Sequence, residues 1–205
     1  MFGLFLYSLG IVLTVRANIG YAPWDVFHAG LAQKTGLSFG TVSIVVGLAL
    51  VVIVLVFGEK IGLGTLLNMF VIGVFIDLIF LSNIIPKQEK LVSGLIMLVT
   101  GLFVISMGSY FYIRAAFGAG PRDSLMVVLN RKTKLPIGVC RSAVELTVTI
   151  AWWFLGGMAG IGTVISVLAI GFFIQLTFAI LKFVPASVKH ETLQETYKSL
   201  KRKFS

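Results

Sequence analysis

The sequence predicts an all-α membrane protein with six transmembrane helices arranged as two inverted three-helix repeats, each carrying a short re-entrant or interfacial helix. Three observations carry this prediction. The 205-residue chain is 58% hydrophobic and 12% charged, with a mean hydropathy of +1.01, whereas soluble domains average about 45 to 50% apolar and roughly 25% charged. Apolar stretches near the roughly 20 residues needed to cross hydrocarbon recur along the chain. Residues 3–80 also lie over residues 101–178 without a gap, at a shift of 98 positions, with 27 identities in 78. The matches are breakers and charges as well as apolar residues: Gly10 with Gly108, Arg16 with Arg114, Pro23 with Pro121, Asp25 with Asp123, and Lys34-Thr35 with Lys132-Thr133. Self-similarity of this kind marks a duplicated structural unit.

The first span runs from Met1 to about Val15. It is short, because its repeat partner occupies Leu91 to Ile113 and residues 91–98 have no counterpart before Met1; the helix is either trimmed or short by nature. It has no basic leading region, so it does not read as a cleaved signal peptide.

A matched motif follows each first span: Arg16-Ala-Asn-Ile-Gly-Tyr-Ala-Pro-Trp-Asp25 and Arg114-Ala-Ala-Phe-Gly-Ala-Gly-Pro-Arg-Asp123, or R-A-x-x-G-x-x-P-x-D. Gly20 and Gly118 permit a sharp backbone break, and the prolines suit the first turn of a new helix. Val26 to Gln33 and Ser124 to Arg131 are too brief to span and read as half-helices. Asp25 and Asp123 either satisfy first-turn N–H groups or bind a proton, cation or basic substrate where the halves meet. Arg16 and Arg114 are either helix-end charges reaching the interface or anion-binding or gating groups.

Further spans lie near 40–57, 63–83, 91–113, 138–155 and 161–184. Asp77 lies deep in the third and matches Gln175 in the sixth; an ionisable residue at that depth is a functional candidate, because exposing it to lipid costs on the order of 3 kcal/mol. Glu145 follows Arg141 by four residues, a spacing that suits a local ion pair, with substrate or proton coupling as the alternative. Asn68 and Ser166 correspond and suit interhelical hydrogen bonding. His28 reads as structural or interfacial, with pH sensing as the alternative.

Charge sets the orientation. One side carries Lys60, Arg114, Arg122, Arg131, Lys132, Lys134, Lys182, Lys189, Lys198, Lys201, Arg202 and Lys203, twelve positive residues, against four on the other, Arg16, Lys34, Lys87 and Lys90. The positive-inside bias puts both termini in the cytoplasm. Three spans per copy then make the second copy enter from the opposite side, an arrangement common in secondary transporters. Residues 1–184 form a single transmembrane domain, with repeat one at 3–80 and repeat two at 101–178, and 185–205 form a basic cytoplasmic tail. The tail's Leu193, Tyr197 and Leu200 fit either a basic surface helix or a solvated coil.

Cys140 is the one cysteine, so no internal disulfide can form. No phosphate-binding Gly-rich loop, zinc spacing or catalytic triad is present. The expectation is therefore no enzyme, no cofactor, no metal and no catalytic residue. The net charge of +9 points to anionic headgroups rather than nucleic acid.

The duplicated R-A-x-x-G-x-x-P-x-D segment, followed by a short helix, Lys-Thr and a further span, resembles the YczE/YyaS/YitT-type family of bacterial membrane proteins from the first span to the sixth. The resemblance implies a bacterial plasma membrane location; it implies no substrate and no catalytic residues. The function expected is transport of a small molecule or ion by alternating access between the repeats. Substrate or ion binding falls to Asp25, Asp123, Asp77, Gln175, Glu145, Arg16 and Arg114. The alternative is a non-transporting accessory or regulatory protein that assists another membrane or biosynthetic system. Partners are the small-molecule or ion substrate and membrane lipids, with a homo-oligomer left open.

Overall fold

A computed structural model describes residues 1–58, 61–118, 120–154, 160–185, 188, 191, 192 and 195. These residues form eight α-helices: α1 (Phe2–Arg16), α2 (Pro23–Thr35), α3 (Phe39–Val56), α4 (Leu63–Ser82), α5 (Leu91–Arg114), α6 (Pro121–Thr133), α7 (Ile137–Phe154) and α8 (Ile161–Ile180). The repeat is legible element by element, since α2, α3 and α4 return as α6, α7 and α8 with the bounds displaced by the same 98 positions.

Among the described residues, four helices are long and apolar enough to cross a membrane: α3, α4, α5 and α8. The chain is a membrane protein. Of the other two expected spans, α1 has 15 residues and rises only about 22 Å, while α7 carries Arg141 and Glu145. Large apolar side chains such as Val52, Leu78, Leu168 and Phe172 lie exposed on the outer surface, as lipid contact requires.

Glycine brings α1 and α5 together at the centre. A Cβ at Gly10 would lie 2.8 Å from the Gly101 carbonyl oxygen, and one at Gly108 would lie 2.9 Å from that of Gly3. Gly3 meeting Gly108 while Gly10 meets Gly101 makes the two helices cross antiparallel. Only small residues permit so close a backbone approach. The larger apolar core surrounds this crossing, with Ile11, Leu98, Leu102 and Ile113 from α1 and α5, Ile72 and Ile76 from α4, and Ile170 and Ile174 from α8.

The short helices begin at Pro23 and Pro121, three residues earlier than the sequence suggested, because each proline takes the first helical position, where its missing N–H leaves no bond unmade. At 13 residues each they rise about 20 Å, too little to cross the bilayer. The break before each has the expected geometry: Gly20 has φ +118° and Gly118 has φ +120°. Each break is tied to the other copy, since Gly162 N–H donates to the Ile19 carbonyl and Gly64 N–H to the Phe117 carbonyl, both at 2.7 Å. Likewise α2 packs on both α3 and α7, and α6 on both α7 and α3, so neither half closes without its counterpart.

Most of the expected tail, including Leu193, Tyr197 and Leu200, lies outside the described residues, as do Lys60 and His190. The Glu191 N–H donates to the Ala116 carbonyl at 2.8 Å, so the chain after α8 returns to the second break.

Candidate functional site

With Pro23 and Pro121 at the head of the short helices, Asp25 and Asp123 fall inside the first turn. Both are 2% exposed. Neither carboxylate accepts from a first-turn backbone N–H among the described bonds; each turns toward side chains instead. Asp123 Oδ1 accepts from Arg141 Nη1 at 2.8 Å. The Arg141 Nε lies 2.8 Å from Glu145 Oε1 one turn further along α7, at an angle outside hydrogen-bond geometry, so this contact is an ion pair. Arg141 Nη2 donates to the Tyr7 hydroxyl at 3.3 Å. One guanidinium thus holds two carboxylates and a phenol from α1, α6 and α7, all of them buried.

Asp25 has no such partner. Its Oδ2 lies 3.4 Å from the Thr14 hydroxyl, and its Oδ1, 3.9 Å from His28 Nδ1, makes no hydrogen bond among the described residues. The asymmetry is written in the repeat: where the second copy has Arg141 and Glu145, the first has Ser43 and Gly47. Arg122, from α6, reaches across to the first copy. Its Nη2 lies 3.2 Å from Nε2 of the fully buried His28, and its guanidinium covers the ring of Trp24. A guanidinium only donates, so the imidazole nitrogen it meets is an acceptor and unprotonated.

Two small cavities flank this cluster. One of about 30 Å³ is bounded by Ser43, Gly47, Asn68 and Asp123; the other, of about 20 Å³, by Trp24, Arg141, Glu145 and Ser166. Both touch Tyr7, Ile11 and Arg122. They are repeat equivalents of each other, since Ser43, Gly47 and Asn68 correspond to Arg141, Glu145 and Ser166. Each has room for about one water.

The structure therefore brings Asp25, Asp123 and Glu145 together and separates the other candidates from them. Asp77 accepts from Ser38 Oγ at 2.6 Å and from the Gly40 N–H at 2.8 Å, where it anchors the start of α3. Gln175 is exposed and lies over Gly138, the counterpart of Gly40. Arg16 donates to Asn83 Oδ1 at 3.3 Å and covers the Phe80 ring, and Arg114 donates to the Tyr110 hydroxyl; both stand at helix ends. Sequence reasoning gave no role to Tyr7 or Trp24, read His28 as structural or interfacial with pH sensing as the alternative, and counted Arg122 among loop charges whereas its head faces the cluster. The available signal for Arg122 was the mismatch at the variable position before each motif Asp, Trp24 against Arg122.

The chain matches a family described as a family of unknown function, DUF6198, over residues 1–178. It is 36% identical over 177 residues to the uncharacterized membrane protein YczE of Bacillus subtilis (strain 168), covering 85% of this chain and 81% of the relative. An uncharacterized protein of Haemophilus influenzae is 32% identical over 185 residues, covering 90% and 84%. The uncharacterized protein YyaS of Bacillus subtilis is 29% identical over 191 residues, covering 92% of each. No solved structure matches the chain.

Proposed function

The chain belongs to this DUF6198 family of YczE- and YyaS-type membrane proteins, and from that premise we propose that it is a bacterial plasma-membrane transporter of a small molecule or ion. It works by alternating access between two inverted three-helix repeats, with six spans formed by α1, α3, α4, α5, α7 and α8 and both termini in the cytoplasm. The observation that carries the reading is the cluster of buried Asp25, Asp123, Glu145 and Arg141 with half-buried Arg122 beside them, drawn from both copies. Ionisable groups inside a membrane protein are costly and persist where water, ions or substrate compensate them.

Three features support the inverted arrangement. Equivalent helices α1 and α5 cross antiparallel, each break bonds to the opposite copy, and the two cavities are repeat equivalents. In such folds the substrate lies near the midplane between repeats, beside the N-termini of broken helices; α2 and α6 occupy that place. Asp25, Asp123 and Glu145 meet the substrate or coupling ion, and Arg122 and Arg141 set the local charge. Rocking of the halves would enlarge one small cavity toward each side in turn.

Untargeted comparison of metabolite uptake and efflux between deletion and complemented cells tests this reading. A compound whose exchange is lost on deletion, restored by the wild-type gene and not restored by Arg122→Gln at equal membrane abundance is the expected result. Full restoration by Arg122→Gln and by Asp123→Asn refutes the site. The small volume of both cavities favours the second reading, a non-transporting accessory protein, which predicts no change in exchange.

A further inference from the structure

We propose that Asp25 is the proton carrier of this protein, taking up and releasing one proton while Arg141 holds Asp123 and Glu145. What the proton is used for rests on the transport reading; which group holds it rests on side-chain geometry.

The groups facing Asp25 can be named from every neighbouring helix. Thr14 comes from α1, His28 from α2 itself, Arg122 from α6, and Arg141 and Glu145 from α7. The α3 and α8 helices carry no titratable side chain. Two guanidinium groups thus meet three carboxyls. His28 adds no cation, since its ring accepts from Arg122. The cluster becomes neutral when one carboxyl binds one proton, and a buried charge without a partner is the arrangement a low-dielectric interior tolerates least.

Contact geometry decides which carboxyl that is. Asp123 and Glu145 each lie 2.8 Å from an Arg141 nitrogen. Asp25 touches no guanidinium, because Ser43 occupies the place that Arg141 takes in the second copy. The Thr14 hydroxyl donates to the Ile11 carbonyl at 2.8 Å and reaches Asp25 Oδ2 as a donor only at a long 3.4 Å, so it does little to hold a carboxylate there. The other oxygen, Asp25 Oδ1, is buried with no hydrogen-bond partner among the described residues, a surrounding that disfavours the charged form of the carboxyl more than the protonated one. Release of the proton sends it to water admitted when the halves open, and the carboxylate left behind faces Arg122.

The test is an infrared titration of the full chain reconstituted in lipid vesicles, from mildly acidic to mildly alkaline pH. Expected is one protonated-carboxyl stretching band that fades as pH rises. It is absent in Asp25→Asn and present at shifted frequency in Asp25→Glu, the variant that keeps the acid and guards against misreading a misfolded protein. Asp123→Asn removes one anion, so Asp25 holds its proton less firmly and the titration moves to lower pH. No titrating band in the wild type, or a band unchanged in Asp25→Asn, overturns the proposal. If the band behaves as expected while deletion and complementation leave metabolite exchange unaltered, the proton site stands and the transport reading fails. If exchange is confirmed and the band is missing, the proposal alone fails.

Discussion

The Arg122 guanidinium sits 5.1 Å above the centroid of the Trp24 ring, and these residues occupy the same position in the two copies of the repeat, 98 residues apart. On the inverted-repeat reading, a position that touches its own equivalent lies at the axis relating the halves. Trp24 and Arg122 then mark that axis, and the charge cluster surrounds it. A cation on an aromatic face contributes about 2 kcal/mol or more when desolvated, and here it joins α2 to α6 directly.

Arg141→Met should cost about 3 to 5 kcal/mol, because it leaves Asp123 and Glu145 buried without their cation. Thermal or denaturant unfolding in a mild detergent measures it. Combining Arg141→Met with Asp123→Asn and Glu145→Gln should recover most of the loss, since no uncompensated charge remains. A single variant as stable as the wild type would refute the ion-pair account.

Gly10→Val and Gly101→Val should each destabilise by about 1 to 3 kcal/mol, the usual cost of forcing carbon into a packed contact. An ideal Cβ at Gly10 already lies 2.6 Å from Ile105 Cγ1, and at Gly101 it lies 2.8 Å from Thr14 Cγ2. Gly36→Ala meets no atom and pays only for its left-handed φ of 73°, so its stability should lie closer to the wild type when the three are unfolded side by side.

Asp77→Ala should cost about 1.5 to 3 kcal/mol through lost hydrogen bonds to a charged group, those from Ser38 and Gly40. Its effect should be on unfolding. Once a substrate is known, exchange per folded molecule should match the wild type, in contrast to Arg122→Gln. A specific loss of flux with full stability would return Asp77 to the transport path.

A reporter fused after Ser205 that works only outside the cytoplasm should stay silent, and one that works only inside should be active. The basis is the excess of positive charge on one side. Arg122, whose head joins the charge cluster, drops out of that count and leaves eleven of its twelve residues against four. Strong activity of the external reporter would reverse the orientation.

Much of the secondary structure was legible because it follows from local chemistry. Proline at a first helical position, glycine at positive φ and unbroken apolar runs act within a few residues, so they place α2, α6 and the long helices from sequence to within four residues. The pairing of Arg141 with Glu145 was legible for the same reason, as both lie on one helix face. The membrane character and family membership were likewise carried by composition and the repeated motif. Asp77 was misleading: depth in a span says that a polar group needs a partner, and only packing says which. Its partners are a hydroxyl and an amide on α3, not the charges around Asp123.

What the sequence determined by itself is an all-helical membrane chain with a duplicated unit and a broken segment in each copy, because hydropathy, φ preference and helix capping are local properties. What the tertiary structure decided is who meets whom across 18 to 134 positions of sequence, as between Arg141 and Asp123 or Tyr7. The two copies share the aspartate and differ at the residues around it, so one carboxylate is paired and the other is not. That difference arises only when helices from both halves close on a common centre, where each charge must be matched by whatever side chain the opposing helix presents.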